Sequence, residues 1–376
     1  MTWLDLRRSM TEFRFTKLTR SLPATVPFVG PETQERSRGK RFNARLGANE
    51  NVFGPSPSAI RAMAEAPQWM YADPESHDLR AALARHLQTT PDHIMVGEGI
   101  DGLLSYLVRL FVAQGDAVVT SDGAYPTFNY HVAGFGGILH KVPYKGDFED
   151  PTALFVKAKE VGAKLVYLAN PDNPMGSVHS GAAIAEAMTA LPADTLLILD
   201  EAYIECAAAS AELPIDFDDP RVIRLRTFSK AYGLAGARVG YAIGAPELIL
   251  AFNKVRNHFG MNRSAQEGAL AALADQNWLR SVLAQIAASR LRIEKIARTC
   301  GLQPIKSSAN FVAIDCGRDG TFARRVLDGM ISEGLFVRMP FVAPQDRCIR
   351  VSCGTPADLD YLADILPRAL QNAENS

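Results

Sequence analysis

Short apolar runs and longer stretches with helical periodicity alternate through the middle of the chain. The runs are rich in Val, Ile and Leu and are bounded by turn residues, which favours buried strands. Strands that alternate with helices predict βαβ units around a mainly parallel sheet, and therefore an α/β fold. A further run, Val239–Ile243, is expected to return as an antiparallel strand. The strands predicted as parallel are His93–Val96, Ala117–Thr120, Lys164–Leu168, Thr195–Leu199 and Val222–Leu225.

The pattern changes toward the carboxyl terminus. The stretch from about Trp278 to Cys300 is rich in Ala, Leu, Arg and Ile, which predicts a long helix connecting two domains. We therefore divide the chain into an amino-terminal arm (1–45), a large domain (46–277) and a small α+β domain (278–376). The arm is expected either to fold with the small domain or to wrap a partner. The elements predicted for the small domain are strands at Asn310–Asp315, Leu335–Arg338 and Arg347–Val351 and helices at Phe322–Glu333 and from Ala357 onward.

Composition excludes several classes of partner. A chain of 376 residues can bury a sizeable core, and its 47% apolar and 22% charged residues are ordinary for a globular protein. The net charge of −1 gives no general attraction to nucleic acid or to an anionic membrane. No run approaches the roughly 20 apolar residues of a spanning helix. We therefore expect neither nucleic acid nor membrane as a partner.

Cysteine and histidine spacing gives no sign of a metal site. The five cysteines lack a C-x-x-C pair, and the seven histidines form no H-E-x-x-H cluster. Free thiols in a reducing compartment are the simplest interpretation, so we expect a cytoplasmic protein without disulfides and without a bound metal.

Candidate chemistry lies in two segments thirty residues apart. Arg226–Arg238 places Lys230 among small and hydroxylated residues, with Arg238 a short run later. The apolar run Thr195–Leu199 ends in Asp200, followed by Tyr203. Because open α/β sheets form their ligand crevices at the carboxyl ends of strands, Asp200 is expected to face a ligand. The sequence therefore predicts one site that contains an amine nucleophile, a carboxylate and a phenol.

Together with Asn170-Pro-Asp-Asn-Pro-Met-Gly176, these segments resemble the pyridoxal-phosphate (PLP)-dependent aminotransferases of fold type I, in particular the histidinol-phosphate aminotransferase-like branch. The resemblance extends from about Leu46 to about Thr355, and the motifs occur in the family's order. It implies an α/β large domain with a mainly parallel seven-stranded sheet and a small α+β domain. The other motifs that carry it are Asn49–Pro57, Tyr71–Glu75 and Ile349–Thr355.

The resemblance also implies an activity and a cofactor. The family uses PLP to move an amino group from an amino acid or a similar donor to a 2-oxo acid such as 2-oxoglutarate, in two ping-pong half reactions. Histidinol phosphate and aromatic amino acids are the donors that it suggests. Histidinol-phosphate enzymes often carry a Pro-Tyr-Asn-type segment where this chain has Asn257–Asn262, and this departure leaves the donor open.

Catalytic roles follow from the same resemblance. Lys230 would bind the cofactor as a Schiff base and move a proton at the substrate Cα. Asp200 would keep the pyridine nitrogen protonated. Tyr203 and Asn173 would hydrogen-bond the ring oxygen, and Tyr125 would stack on the ring. Taken singly, each residue also fits an ordinary structural position, such as a surface lysine, a helix N-cap or a core aromatic residue.

Binding roles complete the predicted site. Arg350, with Asn173, would hold the substrate carboxylate in a bidentate contact. Tyr71 would reach across a dimer interface to the neighbouring cofactor phosphate, which predicts a homodimer. The residues expected at the phosphate within one chain are Gly99, Ile100, Asp101, Thr227, Ser229 and Arg238.

One motif favours a different class of enzyme. Gly97–Gly102 matches G-x-G-x-x-G after an apolar strand, and Asp122 follows twenty residues later, as in dinucleotide-binding folds. This interpretation leaves Asp200, Lys230 and Arg238 without a common explanation. A PLP-dependent lyase or decarboxylase on the same fold and a non-catalytic cofactor-binding sensor are further alternatives. The segment Pro27–Pro31 is a candidate for shaping the pocket.

Overall fold

The computed structural model describes residues 13–24, 29–214 and 216–375, so part of the segment Pro27–Pro31 lies outside the described residues. A seven-stranded sheet has the order β2-β8-β7-β6-β5-β3-β4, and only β8 runs antiparallel to its neighbours. The predicted α/β fold with a mainly parallel sheet is thus confirmed. Its strands are β2 (Ile94–Gly97), β3 (Ala117–Ser121), β4 (Ile138–Val142), β5 (Leu165–Ala169), β6 (Leu196–Asp200), β7 (Val222–Thr227) and β8 (Gly240–Ile243).

Helices cover both faces of this sheet. Every residue of β5 and β6 is buried, and alternate side chains enter two separate apolar cores. Tyr167 packs in one core and Leu168 in the other, which explains why the strand reads as a continuous apolar run. The helices of this part of the chain are Pro57–Glu65, His77–Leu87, Gly99–Phe111, Pro126–Gly134, Pro151–Val161, Gly181–Ala187, Pro246–Ala251 and Arg263–Ala274.

The carboxyl-terminal part builds a second core. The long helix Gln276–Thr299 packs against a three-stranded antiparallel sheet of order β12-β10-β9 and against the last helix, Pro356–Glu374. β1 pairs in parallel with β11, so the amino-terminal arm joins this core. The division at residues 45 and 277 stays a prediction. The other elements are β1 (Ala44–Arg45), β9 (Gln303–Pro304), β10 (Phe311–Asp315), β11 (Leu335–Phe336), β12 (Cys348–Ser352) and the helices Lys17–Ser21, Pro31–Arg38 and Gly320–Ser332.

The sheet brings several strand ends to one edge. β5, β6 and β7 end at Ala169, Asp200 and Thr227, and the parallel pairing places these ends side by side. Among the described residues, no helix is long and apolar enough to cross a membrane.

Candidate active site

A cavity of about 370 Å³ lies at this edge of the sheet. The ends of β5, β6 and β7 form its floor, and β12 and the start of the helix Gly99–Phe111 supply residues to its walls. Of the residues predicted from sequence, those that line it are Ile100, Asp101, Tyr125, Asn173, Asp200, Tyr203, Thr227, Ser229, Lys230, Arg238 and Arg350.

Asp200 is a buried carboxylate at the end of β6. The Tyr167 hydroxyl donates to its Oδ2 at 2.7 Å, and the Ala202 amide donates to its Oδ1 at 2.9 Å. Burial raises the pKa of Asp200 to about 6, although the Tyr167 hydrogen bond opposes this rise. A cationic partner in the cavity would therefore stabilise the ionised form of Asp200.

Lys230 extends its amine toward the opposite wall. Its Nζ donates to the Asn49 carbonyl oxygen at 3.3 Å and lies 5.6 Å from the centre of the Tyr203 ring. Burial, together with the nearby Arg350 guanidinium, lowers the pKa of Lys230 to about 8. An appreciable fraction of the amine is therefore neutral, and hence nucleophilic, near neutral pH.

Tyr203 presents a protonated phenol. The Asn49 side-chain amide donates to its hydroxyl oxygen at 3.0 Å, and Asn49 Oδ1 in turn accepts from the Ser352 hydroxyl at 3.0 Å. Burial raises the pKa of Tyr203 to about 12. The hydroxyl proton therefore stays available for donation to a bound group.

Arg238 lies beside the start of the helix Gly99–Phe111. Its guanidinium donates to Ser229 Oγ and to Asp101 Oδ2, each at 3.3 Å. Gly99 has φ +77°, and a Cβ there would approach Arg238 Nη2 to 2.6 Å. A Cβ on Gly240 would likewise meet the Gly99 backbone at 2.8 Å. This close approach joins a helix amino terminus, a hydroxyl and a guanidinium, a combination that suits a phosphate.

Two further predicted residues lie near this end. The Ser229 amide donates to Thr227 Oγ1 at 3.0 Å, which fixes both hydroxyl groups at the end of β7. The Tyr125 hydroxyl donates to Asp101 Oδ1 at 2.9 Å, and burial raises the pKa of that phenol above its usual value. Gly99 does not line the cavity itself but packs directly behind Arg238.

Arg350 and Arg338 face the cavity from adjacent extended segments. Arg350 donates through Nη1 to Asn173 Oδ1 and through Nη2 to the Gly47 carbonyl oxygen at 3.2 Å. Its Nε is buried without a hydrogen-bond acceptor among the described residues. Burial lowers the pKa of Arg350 to about 10, and the charge of Arg338 contributes to the shift. Arg338 donates through Nη2 to the Val29 carbonyl oxygen at 2.9 Å. An anion in the cavity would therefore meet two guanidinium groups.

Comparison with known proteins assigns the family. A model of the class I and II aminotransferases matches residues 44–366. The chain belongs to this family. The resemblance to PLP-dependent aminotransferases of fold type I is thereby confirmed, and so is the predicted enzyme class.

Three relatives illustrate the range of the family. The crystal structure of histidinol-phosphate aminotransferase from Sinorhizobium meliloti, solved with pyridoxal-5'-phosphate, is 53% identical with a TM-score of 0.93, covering 96% of this chain and 99% of that one. Histidinol-phosphate aminotransferase 1 of Mesorhizobium japonicum is 34% identical over 94% of this chain and 98% of its own. An aromatic amino acid aminotransferase of Mycobacterium avium is 35% identical over 82% and 91% of the two chains.

This aminotransferase has the residues to hold PLP. The cavity contains the Lys230 amine with its lowered pKa and the buried carboxylate of Asp200, and Arg238 packs against Gly99 at its edge. The alternative dinucleotide site is set aside, because the strand ending at Gly97 lies at the sheet edge against the antiparallel β8. Asp122, the acidic residue that follows this motif, pairs with Lys141 at 2.9 Å.

Tyr71 lies outside the cavity of its own chain. Its side chain is 80% exposed, its ring centre is 5.0 Å from that of Phe259, and its carbonyl oxygen accepts from Arg263. The divergent segment Asn257–Asn262 thus lies beside Tyr71 and does not line the cavity. The role of Tyr71 across an interface stays a prediction.

Sequence reasoning missed Tyr167, Arg338 and Asn49. Tyr167 lies within the apolar run of β5, and only the pairing of β5 with β6 reveals its contact with Asp200. Arg338 is the last residue of a predicted strand. Its charge at that strand end was the sequence feature that could have pointed to the site. Asn49 lies in a motif noted for its resemblance, and its φ of 55° turns the backbone toward Lys230.

Proposed function

We propose that this aminotransferase moves the amino group of histidinol phosphate to a 2-oxo acid such as 2-oxoglutarate, through two ping-pong half reactions. The observation that carries this proposal is the pair of guanidinium groups, Arg338 and Arg350, in one cavity. A phosphate monoester carries close to two negative charges at neutral pH, and planar guanidinium groups suit its oxygens. The names of the relatives from Sinorhizobium meliloti and Mesorhizobium japonicum support the same donor.

The buried groups at the floor act on the cofactor. When bound, PLP supplies an aldehyde for the amine and a ring that withdraws electrons from the substrate Cα. Asp200 would keep the ring nitrogen protonated, Tyr203 and Asn173 would donate hydrogen bonds to the ring oxygen, and Tyr125 would pack against the ring. The contact of Tyr167 with Asp200 orients this carboxylate. The start of the helix Gly99–Phe111, with Thr227, Ser229 and Arg238, would hold the phosphate.

Lys230 carries the proton that moves during the reaction. With a donor bound, the neutral Lys230 amine would take the proton from the substrate Cα and return it to the reacting centre. The lowered pKa of this amine supports the role, because a general base works best when its pKa is near the working pH. Asp101 accepts a hydrogen bond from Arg238 and would hold this guanidinium beside the cofactor phosphate while the proton moves.

Arg350 binds an anion in both half reactions. It holds the phosphate of histidinol phosphate in the first and a carboxylate of the 2-oxo acid in the second, while Asn173 and the Gly47 carbonyl group orient it. Arg338 adds the second cation that a dianion favours. A homodimer in the cytoplasm, with Tyr71 at the neighbouring phosphate, completes the proposal.

An aromatic amino acid is the second candidate donor. The relative from Mycobacterium avium carries that name, and exposed Phe341 and half-buried Tyr125 give the cavity an aromatic wall. Such a donor has a single carboxylate, so it has less need of Arg338. A PLP-dependent lyase or decarboxylase would consume the donor without a 2-oxo acid.

Substitution of Arg338 distinguishes the two donors. We expect Arg338→Gln to lower kcat/KM for histidinol phosphate much more than for phenylalanine, each measured with 2-oxoglutarate, with partial recovery in Arg338→Lys. Arg318→Gln, which removes an exposed guanidinium that lies over Phe322, is the control. Equal losses for both donors would contradict the assignment of a phosphate to Arg338. Turnover that is independent of the 2-oxo acid would favour the lyase.

A further inference from the structure

Two carboxyl groups, those of Glu149 and Asp172, are buried together beside the cavity. Their residues are 1% and 2% exposed, and the two side chains lie within hydrogen-bonding contact of each other. Neither residue lines the cavity, and the proposed reaction uses neither. Their presence therefore needs an explanation of its own.

The protein supplies hydrogen-bond donors to all four oxygens of the pair. The Ser121 hydroxyl and the Ala169 amide donate to Glu149 at 2.5 and 3.0 Å. The Tyr144 hydroxyl and the Met175 amide donate to Asp172, each at 2.9 Å. No lysine, arginine or histidine within the described ranges forms a salt bridge with either carboxyl group. Two touching carboxylates without a paired cation cannot both be ionised at low cost, which requires a shared proton.

Asp172 also organises the turn that carries Asn173. Its carboxylate accepts from the Met175 amide, its carbonyl oxygen accepts from the Gly176 amide at 3.1 Å, and its own amide donates to the Ser177 carbonyl oxygen at 2.9 Å. The next residue, Asn173, presents its side-chain oxygen to Arg350. The placement of Asp172 therefore determines the placement of the anion-binding guanidinium.

We propose that Glu149 and Asp172 share one proton and act as a positioning pair, which fixes the 171–176 turn and, through Asn173, sets Arg350 for the substrate anion. This inference rests on the proposed function for the role of Arg350, but the shared proton does not. Loss of that proton leaves two adjacent anions, whose repulsion displaces the turn.

Several groups face the pair and must be considered in any pH experiment. They are Tyr144 beyond β4, Tyr167 on β5, Arg350 on β12 and His179, whose Nε2 lies 2.8 Å from the Glu149 carbonyl oxygen. Burial raises the pKa of both carboxyl groups, that of Asp172 to about 7. An unfolded aspartate titrates near about 4. The protonated pair therefore contributes stability that is complete below about pH 4 and is lost as the pH rises through about 7.

The shared proton is tested by thermal unfolding of the cofactor-loaded enzyme. Asp172→Asn keeps the shape and an acceptor for the Met175 amide, but it removes one ionisation. Between about pH 5 and about pH 8 we expect the Tm of the wild type to fall relative to that of Asp172→Asn. Glu149→Gln should behave in the same way. Asp122→Asn, the same change at a surface carboxylate paired with Lys141, should keep a constant Tm difference. A constant difference in Asp172→Asn as well would overturn the inference.

The positioning role is tested by the Kd of maleate, a non-reactive dicarboxylate, over the same range of pH. The wild type should bind maleate more weakly at alkaline pH. Some weakening should remain in Asp172→Asn and Glu149→Gln, because the titration of Lys230 is common to all three proteins. It should be smaller than in the wild type, because these variants have no shared proton to lose. The same alkaline weakening in all of them would refute the positioning role. If Arg350→Lys leaves maleate binding unchanged, the proposed function of Arg350 fails, whereas the unfolding result still decides the shared proton.

Discussion

At the residue scale, the reaction depends on the protonation state of Lys230. Burial lowers the pKa of its amine to about 8, and the Arg350 guanidinium is the next largest cause. Asp101 acts in the opposite direction and limits the shift. Because cations as well as burial set this pKa, the residue that binds the substrate anion also tunes the base.

The pH dependence of cofactor attachment tests this coupling. Attachment needs the neutral amine, so the rate at which cofactor-free enzyme regains visible absorbance with PLP should rise with pH and level off above about 8. Arg350→Gln removes a nearby positive charge and should move the midpoint of the curve to higher pH. Arg318→Gln, an exposed arginine, serves as the control. A midpoint near the ordinary lysine value of about 10.4, or one that Arg350→Gln leaves unchanged, would contradict the account.

At the element scale, the contact between the start of the helix Gly99–Phe111 and β8 forms the phosphate end of the site. Gly99 and Gly240 approach so closely that a Cβ on Gly240 would lie 2.8 Å from the Gly99 carbonyl carbon. Gly99 also has a left-handed backbone. This contact sets the position of the helix start, and the amino terminus of a helix favours a phosphate.

Substitution of Gly99 by alanine should weaken PLP binding. The added carbon would displace the Arg238 guanidinium, and the strain of a Cβ at this positive φ would favour a shift of the helix start. We therefore expect the Kd of PLP, measured by fluorescence, to rise by about 5–30-fold, which is a loss of about 1–2 kcal/mol of binding free energy. Gly236→Ala, at a site where a Cβ meets nothing within 4 Å, should leave the Kd near the wild-type value. Equal Kd values for the two variants would contradict this role of the helix start.

How much of the fold the sequence predicts depends on burial. β5 and β6 are buried on both faces and read as continuous apolar runs, so their existence was predictable. β4 is an edge strand with mostly exposed or half-buried residues, including His140 and Lys141, and its pattern gives little signal. Which residues of the candidate site are predictable also depends on where they lie. Motif residues at strand ends were predictable, whereas Tyr167 depends on pairing between strands.

At the scale of the whole molecule, the exposed aromatic residues near Tyr71 remain to be explained. Trp69 is 86% exposed, Tyr71 is 80% exposed and Phe259 is 58% exposed. Water-exposed aromatic residues in such a group are typical of a surface that meets another chain. A homodimer in which Tyr71 enters the neighbouring site would cover them.

Mixing two inactive variants tests whether sites are shared. Tyr71→Ala and Lys230→Ala should each lose most activity as pure proteins. In a mixed dimer, one site would combine Lys230 from one chain with Tyr71 from the other, so unfolding and refolding the two together should restore activity. Refolding each variant alone is the control. Absence of restored activity in verified mixed dimers would show that Tyr71 acts within its own chain or not at all.

The visible absorption spectrum of the PLP-loaded enzyme tests the central claim most directly. Histidinol phosphate should bleach the band that arises from the cofactor attached to Lys230, and 2-oxoglutarate, added after removal of the donor, should restore it. Lys230→Ala should show neither the band nor its cycle. A donor that is consumed without any need for the 2-oxo acid, or a band that neither compound changes, would contradict transamination by this site.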